Sequence, residues 1–243
     1  MSDSPKTAIV TGGSRGIGRA VCVELARCGY QLVINYHQNE QAAQQTLALV
    51  RAQGSDGELL PFDVADAAAA TAALEPLVAR NDNLQVLVNN AGVAVDGLMT
   101  WMSAETWQRV TRTTLDGFFN CTSPVLKQMV KCKRGCIVNI SSVSGLIGNR
   151  GQVNYSAAKA GLMGATRSLA AEVSRLNVRV NVVAPGLIDT EMIEKVPRDV
   201  VKRLIPMGRI GRPDEVAKVV RFLCSDDASY ISGQVIGVNG GMA

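Results

Sequence analysis

The amino-acid sequence predicts an α/β fold: one doubly wound parallel sheet of seven strands flanked by helices. Two observations carry this. Seven short apolar runs bounded by turn residues alternate with helix-length segments along the 243 residues. Most of those runs are apolar nearly throughout rather than alternating, as expected of strands covered on both faces and joined by helical crossovers.

The strands are predicted at 6–11 (KTAIVT), 31–37 (QLVINYH), 58–64 (ELLPFDV), 84–90 (LQVLVNN), 135–141 (GCIVNIS), 178–186 (VRVNVVAPG) and 235–241 (VIGVNGG). Helices are predicted at 16–29, 40–53, 66–80, 103–131, 154–176 and 213–224. In the first of these, Ile17, Val21 and Leu25 recur every four residues and mark a buried face. No linker, low-complexity tract or repeat divides the chain, so residues 1–243 are expected to form a single domain. The alternation breaks only at 187–212, where Pro197, Pro206, Gly208 and Gly211 punctuate either a lid over a ligand crevice or an ordinary excursion with short helices.

Composition removes several function classes. Lys and Arg are scattered and the formal charge is only +4, so no nucleic-acid stripe is evident. The opening MSDSPKTAIVTGG lacks a basic start followed by a long apolar stretch, and no run approaches the roughly 20 apolar residues of a membrane span. A cytoplasmic protein with no membrane partner is expected. Six cysteines form no CxxC pair and read as reduced, mostly buried thiols. His37 is the single histidine. A Ser-His-Asp hydrolase would need it as its base, and most catalytic zinc sites need two or three, so no metal site is expected.

After the first strand the chain reads TGGSRGIGRAV, with Gly12, Gly13, Ser14, Arg15, Gly16, Ile17 and Gly18 leading into a helix. Glycines permit a tight turn and close backbone approach, and the helix start offers free N–H groups and partial positive charge to a phosphate. Arg19 and Ala20 stand where a nucleotide-hydrolysing phosphate loop needs Lys and Ser or Thr, which leaves a dinucleotide site or a simple tight corner. Strand two ends in Asn35, Tyr36 and His37, without the carboxylate that would hold an unphosphorylated adenosine ribose. A carboxylate at ~4 Å would oppose a 2′-phosphate by roughly 1–4 kcal/mol. Its absence, and Arg15 in the turn, favour NADP(H) over NAD(H).

Strand five ends in NISSVS, which sets Ser142 at the ligand-binding edge of the sheet. Thirteen residues on, Tyr155 and Lys159 lie one helical turn apart, with small Ser156, Ala157 and Ala158 between them. A cation near a phenol favours tyrosinate and draws its pKa down from about 10.

TGGSRGIG, NNAG (89–92), Ser142, YSAAK (155–159) and PG (185–186) together resemble the short-chain dehydrogenase/reductase family across essentially the whole chain, and within it the bacterial 3-oxoacyl-[acyl-carrier-protein] reductases. The resemblance implies a Rossmann-like fold and NADPH-dependent reduction of a 3-ketoacyl thioester in fatty-acid or polyketide biosynthesis. It implies Tyr155 as proton donor, Ser142 as carbonyl partner and Lys159 on the nicotinamide ribose. It assigns Asp63 and Val64 to the adenine, Asn90, Ala91, Gly92, Pro185 and Gly186 to the cofactor crevice, and Ile188 and Thr190 to the nicotinamide amide. Asn90 could equally stitch strands together. It also implies a homotetramer joined through long helices and the C-terminal segment.

One departure stands out: Thr114 occupies the place of a family asparagine that helps hold water beside the catalytic lysine, and a hydroxyl offers one donor rather than two. That keeps open a supporting subunit of a heteromeric reductase. A reductase of free ketones or dehydrogenase of secondary alcohols is the other alternative. An acyl carrier protein is acidic, so Lys127, Lys131, Lys133 and Arg134, with Arg175, form a candidate docking cluster, or else merely a solvated helix end.

Overall fold

The computed structural model describes residues 5–191 and 198–243, so part of the 187–212 excursion, including Pro197, lies outside the described residues. In chain order the elements are β1 (Thr7–Val10), α1 (Gly16–Arg27), β2 (Gln31–Tyr36), α2 (Glu40–Arg51), β3 (Gly57–Pro61), α3 (Ala67–Ala79), β4 (Leu84–Asn89), α4 (Ala104–Thr111), α5 (Gly117–Cys132), β5 (Gly135–Ile140), α6 (Ser144–Ile147), α7 (Val153–Val173), β6 (Val178–Pro185), α8 (Arg198–Leu204), α9 (Pro213–Cys224) and β7 (Val235–Val238).

All seven strands pair in parallel in the order β3-β2-β1-β4-β5-β6-β7. The sheet reverses its winding between β1 and β4, so two crossovers leave in opposite directions and open a crevice at the carboxyl ends of those strands. Successive strand side chains point to opposite faces, which builds two cores from one run of apolar residues. Ala8, Val10, Ile34, Val88 and Val138 pack against Leu25 of α1 and Val220 of α9. Ile9, Val33, Leu87 and Ile137 face the other way, against Leu74 of α3, Val125 of α5 and Val173 of α7.

Helix starts follow the side chains that cap them. Asn39, Asp66 and Ser103 accept from the free N–H groups of α2, α3 and α4. Pro213 opens α9, where the Glu215 carboxylate accepts from the Arg212 N–H at 2.7 Å. The single helix expected over 103–131 is continuous but takes a wide π turn at Arg112–Asp116 between α4 and α5. The excursion after β6 returns to the sheet where Ile188 bridges Gly211, with Asp189 N donating to Gly211 O at 2.8 Å.

Candidate active site

The glycine turn lies at the switch between β1 and β4. Gly12 and Gly16 adopt φ of 60° and 53°, a left-handed backbone that side chains disfavour. Packing fixes the rest: a Cβ at Gly18 would collide with the Gly12 carbonyl oxygen, and one at Gly13 would sit 3.0 Å from Ile34. Three polar side chains brace the turn from below. Thr11 Oγ1 accepts from the N–H groups of Asn90 and Ala91 at 2.9 and 3.0 Å. Asn90 Nδ2 donates to the carbonyls of Thr11 and Gly12, and Asn35 Oδ1 accepts from Gly12 N at 3.1 Å. The amide of Asn35 also donates to the Leu60 and Phe62 carbonyls. Asn35 and Asn90 therefore hold the turn in shape through their side-chain amides.

Around the turn, Ser14 is buried and its carbonyl is held by Arg19 and Thr46, whereas Arg15 reaches into solvent. Tyr36 is buried at the end of β2, and beyond it the exposed His37 lies 4.0 Å from Asp63. Val64 anchors the floor: its carbonyl accepts from Asn120, and Gly117 packs so closely on it that a Cβ there would lie 2.8 Å from a Val64 methyl. Gly186 passes Asn239 at a separation only a glycine allows, 2.9 Å from a built Cβ. Ile188 joins the core and Thr190 leans on Gly16.

Ser142, Tyr155 and Lys159 converge at the end of β5. Gly145 lets α6 press on α7, since a Cβ there would lie 2.9 Å from Ala160 N, and Ser141 Oγ donates to Lys159 O at 2.7 Å. Lys159 is 3% exposed, with its Nζ 5.5 Å from the centre of the Tyr155 ring. The ammonium donates to Ile140 O at 2.8 Å, its single hydrogen-bond acceptor among the described residues. Burial draws its pKa down from 10.5 to about 8. The phenol behaves differently from the sequence expectation. Burial raises the Tyr155 pKa above 10, a Ser142 hydrogen bond pulls the other way, and the Asp96 carboxylate adds to the rise.

The site fits a nicotinamide dinucleotide on its own chemistry. A buried ammonium keeps two N–H directions beyond Ile140, and Gly92 clears the space beside it, a Cβ there falling 3.3 Å from Nζ. A glycine turn at a helix start faces the same crevice.

A family model described as Enoyl-(Acyl carrier protein) reductase matches residues 12–243. The chain belongs to the short-chain dehydrogenase/reductase family. Among curated relatives, the 3-oxoacyl-[acyl-carrier-protein] reductase FabG of Aggregatibacter actinomycetemcomitans is 44% identical over 98% of this chain and 99% of its own. The 3-oxoacyl-[acyl-carrier-protein] reductase of Synechocystis is 44% identical, covering 98% and 96%, and FabG of Pseudomonas aeruginosa is 43% identical, covering 100% and 99%.

The fold also places Thr114 and the basic cluster of this short-chain reductase. Thr114 is buried in the π turn, and its hydroxyl has no hydrogen-bond partner among the described residues, so it does not bond Ser142, Tyr155 or Lys159 directly. It lines a cavity of about 10 Å³ with Asn89, whose Oδ1 is likewise unpartnered, about the room that one water needs. The basic cluster is displaced further. Lys131, Lys133 and Arg134 lie where α5 ends and β5 begins, and Arg175 lies just before β6. In a parallel sheet that is the edge opposite the crevice, so within one subunit the cluster does not border Tyr155. Sequence reasoning also missed Asp96, which accepts twice from Gln152 at 3.0 and 3.1 Å and fastens the loop after β4 to the turn before α7. A lone exposed aspartate carries no signal of that contact.

Proposed function

We propose that the chain reduces the 3-keto group of an acyl thioester carried on an acyl carrier protein to the 3-hydroxy group, with NADPH as reductant. The observation that supports this best is the meeting of Ser142, Tyr155 and buried Lys159 beside the glycine turn. NADPH, when bound, supplies the hydride to the carbonyl carbon. The Ser142 hydroxyl holds the carbonyl oxygen and Tyr155 gives that oxygen its proton. The phenol is protonated at neutral pH and can give up its proton as the more basic alkoxide develops beside it. Lys159 then stabilises the tyrosinate by charge, and its free N–H groups hold the nicotinamide ribose.

The phosphorylated coenzyme is favoured by Arg15 and by the lack of a carboxylate in Asn35, Tyr36 and His37. Six free cysteines suit a reducing cytoplasm, and no helix among the described residues is long and apolar enough to cross a membrane. The working form is a homotetramer.

The test is a panel of 3-ketoacyl-carrier substrates, enoyl-carrier thioesters and free ketones, each assayed with NADPH and NADH. The expected substrate is the ketoacyl-carrier thioester with NADPH. Free ketones turned over as fast as the thioesters would reject carrier-bound substrates. Tyr155→Phe should abolish reduction while NADPH still binds, and turnover within tenfold of wild type would remove Tyr155 from the proton-donor role.

A further inference from the structure

Arg15 extends from the glycine turn, and its Nη1 lies 3.1 Å from Glu191 Oε2, a partner 176 residues away in sequence. The backbone makes this possible. Past the Ile188–Gly211 bridge the chain crosses to the turn, where Thr190 packs 3.4 Å from a Cβ built on Gly16. The next cation, Arg19, faces the other way and donates to Ser14 O, Ala42 O and Gln45. Glu191 forms no other ion pair among the described residues.

We propose that Glu191 is the internal rival of the coenzyme's 2′-phosphate for Arg15, so that one pair is exchanged for the other when NADP(H) binds. Glu191 thereby sets how strongly phosphorylated coenzyme is preferred. The inference rests on the NADP(H) reading above. A guanidinium presents its donors as a planar fork, and the carboxylate engages only one nitrogen, whereas a phosphate can take two and carries more charge. Once phosphate occupies the fork, a nearby carboxylate is repelled. NADH has no such group and leaves the Arg15–Glu191 pair intact. Both side chains are more than half exposed, and exposed ion pairs alter an equilibrium by only about 1.5- to fivefold. Glu191 is thus a modest counterweight on affinity.

Dissociation constants for NADPH and NADH, read from nicotinamide fluorescence, test this in wild type, Glu191→Gln, Arg15→Gln and the double variant. Glu191→Gln should bind NADPH about two- to fivefold tighter and NADH unchanged. Arg15→Gln should weaken NADPH alone, and adding Glu191→Gln to it should change nothing. An unchanged NADPH constant in Glu191→Gln, an equal gain for NADH, or the same gain without Arg15 would overturn the proposal. If Arg15→Gln leaves NADPH binding at wild-type strength, the 2′-phosphate reading of Arg15 fails first, and this inference falls with it.

Discussion

A buried ammonium destabilises a folded chain unless its charge has a task, and Lys159 has little to compensate it: one carbonyl from Ile140 and the face of the Tyr155 ring. Its pKa is about 8 folded against 10.5 in the open chain. Between those values the unfolded state binds more protons, so this residue makes stability rise with pH across the window from about 8 to 10.5. Below it both states are protonated and the full burial penalty remains, on the order of 3 kcal/mol. Lys159→Met removes the titration. The stability difference between variant and wild type should shift toward the variant by roughly 3 kcal/mol as pH falls from above 10.5 to below 8, while activity is lost. Denaturant melts of the ligand-free protein at several pH values measure this, and a difference flat with pH would show that the ammonium is better solvated than its burial implies.

Among the elements, the turn between β1 and α1 is the most tightly determined, because Thr11, Asn35 and Asn90 fix it from three strands. Gly18 stands inside α1, where alanine is favoured over glycine by about 1 kcal/mol. Here the clash with the Gly12 carbonyl, and 2.6 Å to Asn90 Nδ2, decides the sign. Gly18→Ala should lower the melting temperature and weaken NADPH at least tenfold. On α7, a Cβ at Gly164 meets nothing within 4 Å, so Gly164→Ala should melt at or above wild type. Thermal melts of both variants separate local collision from helix propensity. The strand and helix order and the convergence of Ser142, Tyr155 and Lys159 were legible in the sequence, because apolar periodicity and fixed spacings along one chain encode them. The bracing roles of Asn35 and Asn90 were less so: a strand-end asparagine looks the same whether it faces a ligand or a neighbouring carbonyl. The Arg15–Glu191 pair and the Asp96–Gln152 clamp were invisible for a similar reason, since the contacts join exposed residues far apart in sequence that follow no period.

For the whole molecule, the surface leaves large apolar side chains in water that one subunit has no means to cover. Phe119 is 66% exposed on the outer side of α5, away from the sheet, and Tyr230 is fully exposed near the C-terminal segment. Burying a Phe side chain contributes about 1.5–3 kcal/mol, and a symmetric assembly repeats the gain at every copy. Four chains of 25.7 kDa give about 103 kDa, the mass expected by light scattering at micromolar concentration. Phe119→Glu should shift it to smaller species, and a wild-type mass near 25.7 kDa would remove the tetramer. The proposed assembly also decides the fate of the basic cluster. Lys133 and Arg134 lie a full strand length from their own crevice, so they can guide an acidic carrier only to the crevice of another subunit. Reversing both to Glu should then raise KM for carrier-bound substrate in the assembled protein and spare a small thioester analogue. If carrier-bound and small substrates suffer equally, the cluster does not dock the carrier.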